Sequence, residues 1–335
     1  MIVIIPTHGR PGPLERALRS VAECDQPDTC QGLVVVENGS RAGAEDVVRR
    51  VARDYPDVRL RYLHHERANK SAALNAALAD VPGDTLCVFF DDDVRVEPDV
   101  LLRYEAIGER TGPGTFMGGS VRCDYDMPPP DWLVPLLPLS ARGLDLAGAD
   151  ANALYLGFNW AAYAGDIREA GGFDPNYGPG APTNATGQES NMEGRLLLLG
   201  CRMVNVSSAV VHHHVPVERC SPLWAAGRQH RDAIGWGRVA RVRDRPLPFI
   251  ITNAWLTTKC CLVAVRKYAS GDRVGRWKAV KQAGYHSGLI RGFLQPRRPV
   301  EIRTATVRKP KIGEPGRLGE DEVLAMWQGR PAASA

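Results

Sequence analysis

Several patterns that mark common nucleotide-binding and metal-binding proteins are missing from this 335-residue sequence. No GxGxxG follows the first apolar run and no GxxxxGK[ST] occurs anywhere, which disfavours a dinucleotide-binding fold and a P-loop. The eight cysteines form no CxxC pair and show no zinc-ligand spacing, so neither a zinc module nor a disulfide scaffold is indicated. Their scattered placement favours a reducing compartment, and we expect a cytoplasmic protein.

Long uninterrupted apolar runs are also missing. The apolar start, residues 2–5, is too short for a signal peptide and runs directly into a proline. The longest apolar stretch, residues 247–265, contains Asn253, Lys259 and three threonines. These polar groups argue against a membrane-spanning helix and leave a buried or an interfacial helix open.

The net charge of +4 hides a strong asymmetry along the chain. Residues 228–311 carry 20 of the 42 Lys/Arg but 4 of the 38 Asp/Glu, which leaves 22 basic against 34 acidic residues elsewhere. A basic end on an acidic body favours a polyanion, an acidic acceptor or peripheral contact with an anionic membrane at its inner face. A merely solvated face is the alternative. We expect no nucleic-acid partner, and no oligomeric state is predicted.

Apolar runs and amphipathic segments alternate over the first 90 residues. The predicted strands are residues 2–5, 33–36, 60–63 and 86–90, and the predicted helices between them are residues 13–22, 44–53 and 69–79. This alternation predicts an α/β fold with a mostly parallel sheet flanked by helices. Further along we expect strands at 115–121, 155–162, 202–206 and 209–211, a helix at 188–199, and a loop at 175–187 that could serve as a lid.

Three consecutive aspartates, Asp91, Asp92 and Asp93, end the most apolar predicted strand. Carboxylates at the carboxyl end of a parallel strand lie where open α/β sheets bind ligands. Like charges this close repel unless a cation neutralises them, and hard oxygen ligands suit Mg²⁺ or Mn²⁺ with bound phosphates. The sequence therefore predicts a metal and phosphate site here, with a solvated acidic turn as the alternative.

Polar residues also follow the other predicted strands. Thr7 and Arg10 follow the first, Glu37 and Asn38 the second, and Lys70 begins a helix whose N-terminal amides could face a phosphate. Each has an ordinary explanation as a turn or cap residue. Because the carboxyl ends of parallel strands meet at one edge, their convergence favours a nucleotide site.

Two more segments carry candidate catalytic or metal-binding groups. Glu189 opens a helix after the glycine-rich loop, either as a charge that complements the helix dipole or as a general base. His212, His213 and His214 end the last predicted strand, and one of them could complete a metal site begun by the aspartates. Because strand side chains alternate, His213 faces opposite to its two neighbours.

Taken together, these segments resemble family 2 inverting glycosyltransferases of the GT-A fold. The matching segments, in the order of the family, are residues 4–7, 36–40, 69–75, 89–99, 171–174 and 187–200. The resemblance extends over roughly residues 1–216. It implies a GT-A domain at 1–216, with a nucleotide-sugar-binding half at 1–99 and an acceptor and catalytic half at 100–216. We expect a basic helical appendage at 217–312 and a flexible tail at 313–335.

The resemblance also implies roles for matched residues. Glu189 is the expected catalytic base, and the expected metal ligands for Mn²⁺ or Mg²⁺ are Asp93, Asp91 and His213. The expected substrate-binding residues are Pro6, Thr7, Arg10, Glu37, Asn38, Lys70, Asp91, Asp92, Asn159 and Trp160.

The implied reaction is transfer of a sugar from a nucleoside diphosphate sugar, a UDP-sugar in the first instance, to an acceptor hydroxyl. The acceptor would be a glycan, a lipid-linked molecule or a small molecule. Two alternatives stay open at this point: a sugar-phosphate nucleotidyltransferase, and a non-catalytic module that binds sugar nucleotides or polyanions. The first would need a glycine- and arginine-rich phosphate loop after the first strand, which is missing, and the second would not need Glu189.

Overall fold

The computed structural model describes residues 1–241 and 245–296. Its strands are β1 (Ile2–Thr7), β2 (Leu33–Asn38), β3 (Leu60–His65), β4 (Leu86–Phe90), β5 (Val94–Val96), β6 (Thr115–Tyr125), β7 (Asn159–Tyr163) and β8 (Arg202–Val215). Its helices are α1 (Pro11–Ala22), α2 (Ala44–Asp54), α3 (Lys70–Leu78), α4 (Val100–Thr111), α5 (Leu139–Arg142), α6 (Ala164–Glu169), α7 (Gln188–Leu198), α8 (Pro222–Ala240), α9 (Pro246–Ala269) and α10 (Arg273–Leu294). The expected residues 297–312 of the appendage and the tail at 313–335 lie outside the described residues.

The described strands form one mixed sheet in the order β3-β2-β1-β4-β7-β6-β8-β5. Four of its seven ladders are parallel, namely β1 with β2 and β4, β2 with β3, and β6 with β8. The first four strands and their helices follow the predicted alternation. β1, β2 and β4 are fully buried, as expected of apolar runs without a polar break at the centre of a sheet, whereas β3 at its edge is partly exposed.

A side-chain cap begins α3, and aromatic packing forms the core beneath the end of β4. Asn69 caps α3, because its side chain accepts a hydrogen bond from the amide of Ala72. In the core, Phe89 stacks on Trp160 with ring centroids 4.8 Å apart, and Phe173 packs edge-on against Phe89. This packing fixes the end of β4, and therefore the aspartates that follow it.

Three local predictions need correction. The strand expected at 155–162 begins at Asn159, because residues 155–158 form a turn before β7. The two strands expected at 202–206 and 209–211 are one strand, β8, which extends through the three histidines. The pairing of β8 with β6 shifts register between Gly119 and Val121. The gap predicted between the two strands, at residues 207–208, is therefore an irregularity within β8 and not a loop.

Three long helices follow the sheet. α8 and α9 both pack against α10, and α10 also reaches the body of the protein, where Nζ of Lys281 donates to the carbonyl of Leu136 at 2.7 Å. Of the described helices, α9 is long and apolar enough to cross a membrane by length and composition alone, with a mean hydropathy of 1.4 over its best window. That window is 11% buried, so the buried alternative for this apolar stretch was wrong.

Candidate active site

The three aspartates lie at the carboxyl edge of the sheet and each contacts a group from another element. Thr7 Oγ1 donates to Asp92 Oδ2 at 2.6 Å, and Nζ of Lys70 lies 2.5 Å from Asp91 Oδ1. Arg10 bridges the other two, with its Nη1 2.9 Å from Asp93 Oδ2 and its Nη2 on Asp92. The ends of β1, the start of α3 and the end of β4 therefore meet, as the parallel topology predicted.

His213 comes to the same point from β8. It is buried, whereas His212 pairs with Glu97 and His214 with Asp126 on the other side of the strand. Nδ1 of His213 lies 2.6 Å from the carbonyl of Ser140, which can only accept, so Nδ1 carries the proton and Nε2 presents its lone pair. Nε2 lies 3.6 Å from Asp93 Oδ1, so the alternation of the strand has selected His213 among the three.

The charges in this cluster shift the pKa values of its carboxyl groups in different directions. Burial raises the pKa of Asp92 to about 6, although the neighbouring charge of Arg10 opposes this shift. Burial acts in the same direction on Asp93, but the charge of His213 in its protonated form, with those of Arg10 and Arg219, holds the pKa of Asp93 below its usual value. Asp93 therefore stays ionised at neutral pH.

Glu189 occupies the first turn of α7 and is partly exposed. Burial raises the pKa of its carboxyl, whereas the charges of Arg228 and Lys70 lower it. The charge of Asp91 also acts on Glu189, so the Lys70–Asp91 ion pair connects this carboxylate to the aspartate cluster. A partly buried carboxylate with a raised pKa beside a cationic cluster has the properties of a general base.

Glu193 lies one turn along the same helix and is fully buried. Its Oε2 accepts a hydrogen bond of 3.0 Å from the amide of Tyr155, and among the described residues its Oε1 has no hydrogen-bond partner. Burial, with a contribution from the charge of Glu189, raises the pKa of Glu193 well above its usual value. Burial therefore favours the protonated form of Glu193, which does not repel Glu189.

The loop at 175–187, expected to serve as a lid, is attached on both of its sides. The amide of Lys70 donates to the carbonyl of Pro179 at 3.1 Å, and Ser71 Oγ donates to the carbonyl of Tyr177 at 2.8 Å. Gly180 has a positive φ of 77°, and a Cβ there would lie 1.9 Å from the carbonyl oxygen of Ala68. On the other side, the guanidinium of Arg238 lies over the ring of Tyr177. The loop thus joins α3 to α8 in this conformation.

Three of the expected substrate-binding residues lie at the edge but already have protein partners. Both oxygens of Glu37 accept hydrogen bonds, one from the amide of Ala42 at 2.7 Å and one from the hydroxyl of Tyr62 at 2.6 Å. Asn38 donates to the carbonyl of Thr7 at 2.8 Å, and Pro6 is buried within β1. They hold the ends of the first two strands together, and their contact with substrate stays a prediction.

Asn159 and Trp160 lie in the core, at 0% and 1% exposure, which corrects the expectation that they bind substrate. Nδ2 of Asn159 donates to the carbonyls of Ser120 and Ala209, both at 2.9 Å. These carbonyls lie where β6 and β8 shift register, so Asn159 satisfies backbone groups that the irregular ladder leaves unpaired. Trp160 packs between Phe89 and Phe173.

Sequence reasoning missed two arginines that approach the site after β8. Nη1 of Arg219 lies 3.7 Å from Asp93 Oδ2 and 3.4 Å from His213 Nε2. Arg228, on α8, acts on Glu189 and also pairs with Asp232 at 3.2 Å. Arg219 stands only six residues after His213, and this closeness in sequence could have placed it near the same site. No pattern around Arg228 distinguishes it from the other arginines of the basic region.

The positively charged side chains around the three aspartates bear on whether the cluster binds a metal ion. Arg10, Lys70 and Arg219 already balance the three carboxylates, so the cluster does not need a metal ion to be stable, which corrects that expectation. The fit to a metal depends instead on Asp93 Oδ1, which is buried, has no hydrogen-bond partner among the described residues, and faces His213 Nε2. One carboxylate and one imidazole suit Mn²⁺ when phosphates and water supply the other ligands, whereas Mg²⁺ prefers oxygen ligands alone. The described residues contain no group of three or more His, Cys, Asp or Glu side chains placed to hold a metal.

Comparison with known proteins identifies the N-terminal part of the chain. The model of glycosyl transferase family 2 matches residues 2–143, which include β1 to β6 and the whole aspartate cluster. Residues 2–143 form a family 2 glycosyltransferase domain. No curated protein matches the sequence.

One of the matching solved structures shows a similar architecture over most of the chain. A mannosyltransferase from Pyrobaculum calidifontis, solved in complex with GDP-Man and Mn²⁺, matches with a TM-score of 0.57 at 22% identity, over 88% of this chain and 86% of that one. Residues 1–349 of S. aureus TarS, solved in complex with UDP, match with a TM-score of 0.47 at 14% identity, over 86% and 89%. The family 2 domain has the expected GT-A fold, and the chain is a glycosyltransferase.

Proposed function

We propose that this glycosyltransferase is metal-dependent and inverting, and that it moves a sugar from a nucleoside diphosphate sugar to an acceptor hydroxyl. The observation that carries the proposal is the meeting of two sets of groups at one edge of the sheet. Asp93 and His213 face each other there among three cations, and Glu189 lies beside the Lys70–Asp91 pair. The first set suits a diphosphate with its metal, and the second suits a hydroxyl that must lose a proton.

Each part of the reaction has a group of this chain to support it. The acceptor oxygen attacks the anomeric carbon as the bond from that carbon to the diphosphate oxygen breaks, and the hydroxyl proton passes to the carboxylate of Glu189. Lys70, Arg10 and Arg219 stabilise the negative charge that develops on the leaving diphosphate. A divalent ion held by Asp93 and His213 would add further charge neutralisation at the diphosphate. One displacement with one base gives inversion and needs no covalent carboxylate.

The finer identities are part of the same proposal. A UDP-sugar is the expected donor, and the GDP-Man in the similar mannosyltransferase makes a GDP-sugar the second donor to test. The acceptor is a glycan, a lipid-linked molecule or a small molecule. The expected location, in the cytoplasm or at the inner face of its membrane, has support from the eight cysteines, all of which are unpaired.

A donor screen tests the proposal. The protein is incubated with Mn²⁺ and a panel of UDP- and GDP-sugars, each with and without candidate acceptors, and released nucleoside diphosphate is measured. We expect acceptor-dependent release of UDP or GDP, which the Asp93→Asn variant lacks. Release of pyrophosphate from a nucleoside triphosphate and a sugar phosphate, or binding without any turnover, would contradict it.

A further inference from the structure

The outward side of α9 is a continuous apolar surface. Six large side chains, 59% to 70% exposed, share it: Leu247, Ile251, Trp255, Leu262, Val265 and Tyr268. Their spacings of three, four and seven residues place them on one side of an α-helix. We call these six residues the outer face of α9.

The opposite side of α9 is already packed. Asn253 is buried, and its Oδ1 accepts a hydrogen bond of 2.9 Å from Nδ1 of His286 on α10. Phe249 stacks on Phe293 of α10 with ring centroids 4.6 Å apart. α10 therefore covers the inner side of α9, whereas the six residues of the outer face stay 59% to 70% exposed.

Cations surround this apolar surface. Residues 245–296 contain nine Lys and Arg against one acidic residue, Asp272, whose carboxylate lies 2.8 Å from Nζ of Lys267. Nζ of Lys259 lies 5.1 Å from the centre of the Trp255 ring, and the guanidinium of Arg276 lies 5.3 Å from that of Tyr268. Aromatic rings and cations beside exposed leucine, isoleucine and valine are typical of helices at the boundary between lipid headgroups and acyl chains.

We infer that the outer face of α9 binds the surface of an anionic lipid bilayer, with the helix lying in the plane of the interface. The charge of the surroundings complements anionic headgroups. The same charge disfavours a second copy of the chain as the occupant, because a symmetric contact would bring two sets of cations together. This inference does not depend on the sugar donor or on the reaction.

The packing of α10 explains why α9 lies on the bilayer instead of crossing it. α10 accompanies α9 and carries Arg273, Arg276, Lys278, Lys281 and Arg291. Crossing would draw these charges into hydrocarbon, at about 2.5–3.5 kcal/mol for each one near the centre. Lys281 and Trp277 also attach α10 to the catalytic body, Lys281 through the carbonyl of Leu136.

Vesicle flotation with the full chain tests this inference. We expect flotation with vesicles of phosphatidylcholine and phosphatidylglycerol, less with phosphatidylcholine alone, and a decrease as salt is added. The double variant Ile251→Glu/Leu262→Glu should bind roughly tenfold or more weakly, because two exposed apolar side chains no longer enter the interface. The control, Leu102→Glu/Leu198→Glu, adds the same charge at two leucines exposed elsewhere and should bind like the wild type.

A second measurement applies even where the double variant does not fold. Cys261 is the exposed cysteine among the eight and lies on the same side of α9, so an environment-sensitive fluorophore attached there reports on that side. Its emission should shift to shorter wavelength with phosphatidylglycerol vesicles. Absence of both flotation and shift at low salt would overturn the inference. Equal binding to neutral vesicles would overturn the role of anionic lipid, and a shift that accompanies dimer formation without vesicles would assign the face to a second copy.

Discussion

Nε2 of His213 on β8 lies 3.6 Å from Oδ1 of Asp93, which follows the end of β4. The Nδ1–H bond to Ser140 orients the imidazole so that Nε2 faces a buried carboxylate oxygen that has no hydrogen-bond partner in the described chain, and Nη1 of Arg219 lies 3.4 Å from the same nitrogen. Asp93 directly precedes β5, whose Val94 pairs with His213, so the antiparallel ladder of β5 and β8 brings together the two groups best placed to hold a divalent ion.

Replacing Asp93 tests this pair. Asp93→Asn keeps the size of the side chain and removes its charge, so affinity for the sugar nucleotide in the presence of Mn²⁺ should fall by about tenfold or more. Isothermal titration calorimetry with Mn²⁺ and with EDTA measures the effect. Asp124→Asn is the matched control, because Asp124 contacts His212 on the other side of β8. Equal affinity of the wild type with EDTA and with Mn²⁺ would contradict the prediction.

The sequence alone was sufficient to predict that the polar groups after the strands of the first half lie close together. Asp91, Thr7 and Lys70 meet because parallel strands present their carboxyl ends at one edge, and this follows from the order of apolar runs and helices. His213 was expected from the family resemblance, because alternation along a strand separates it from His212 and His214 but does not say which side faces the aspartates. The alternation of the three histidines therefore held although the predicted bounds of β8 were wrong.

The sequence was not sufficient where tertiary packing decides the role of a residue. Asn159 was expected to bind substrate from the family resemblance, but its partners are carbonyls of an irregular ladder that no local pattern reveals. Arg228 was missed for the opposite reason. Its region looked like a separate basic appendage, whereas α8 returns to the carboxylate of Glu189. The expected division after residue 216 thus separates groups that act on one site.

Glu193 should make stability depend on pH. Burial raises its folded pKa, so the native state keeps this proton above pH ~4.5, where the unfolded chain releases it. The free energy of unfolding should therefore fall as pH rises from ~4.5 toward the folded pKa, by about 1.4 kcal/mol for each pH unit that separates the two values. Glu193→Gln has no proton to release, so it should lose this dependence and exceed the wild type in stability at the upper end of the window.

Urea unfolding over a series of pH values measures this difference. Glu169→Gln serves as the control, since Glu169 is exposed on α6 and should leave the pH dependence as it is. Parallel curves for the wild type and Glu193→Gln would show that Glu193 is ionised in the folded protein.

Arg228 should set the pH at which transfer begins. Its charge lowers the pKa of Glu189, so Arg228→Gln should raise that pKa and keep the base protonated to higher pH. The acidic limb of the kcat profile should move upward by roughly one pH unit, with little change in donor affinity. Arg231→Gln, three residues along α8, is the matched control. An unchanged profile in Arg228→Gln, or an equal movement in both variants, would contradict this role.

Glu189 should behave as the base and not as a charge that merely complements the dipole of α7. Glu189→Gln preserves the size and the hydrogen-bonding capacity of the side chain and removes its basicity. If the helix dipole were its role, the substitution should cost about 0.3–1 kcal/mol of stability and leave kcat nearly unchanged. If Glu189 is the base, folding and donor affinity should persist while transfer falls roughly 10²–10⁴-fold.

The measurement is kcat for transfer to the acceptor found in the donor screen, beside donor affinity and Tm for the same variant. Slow hydrolysis of the donor should persist, because water can react without a positioned base. Asp174 would not replace Glu189, since its Oδ1 already accepts hydrogen bonds from the amide and side chain of Asn176. A lowered Tm with an unchanged transfer rate would therefore assign Glu189 to the helix and require a base from outside the groups at this edge of the sheet.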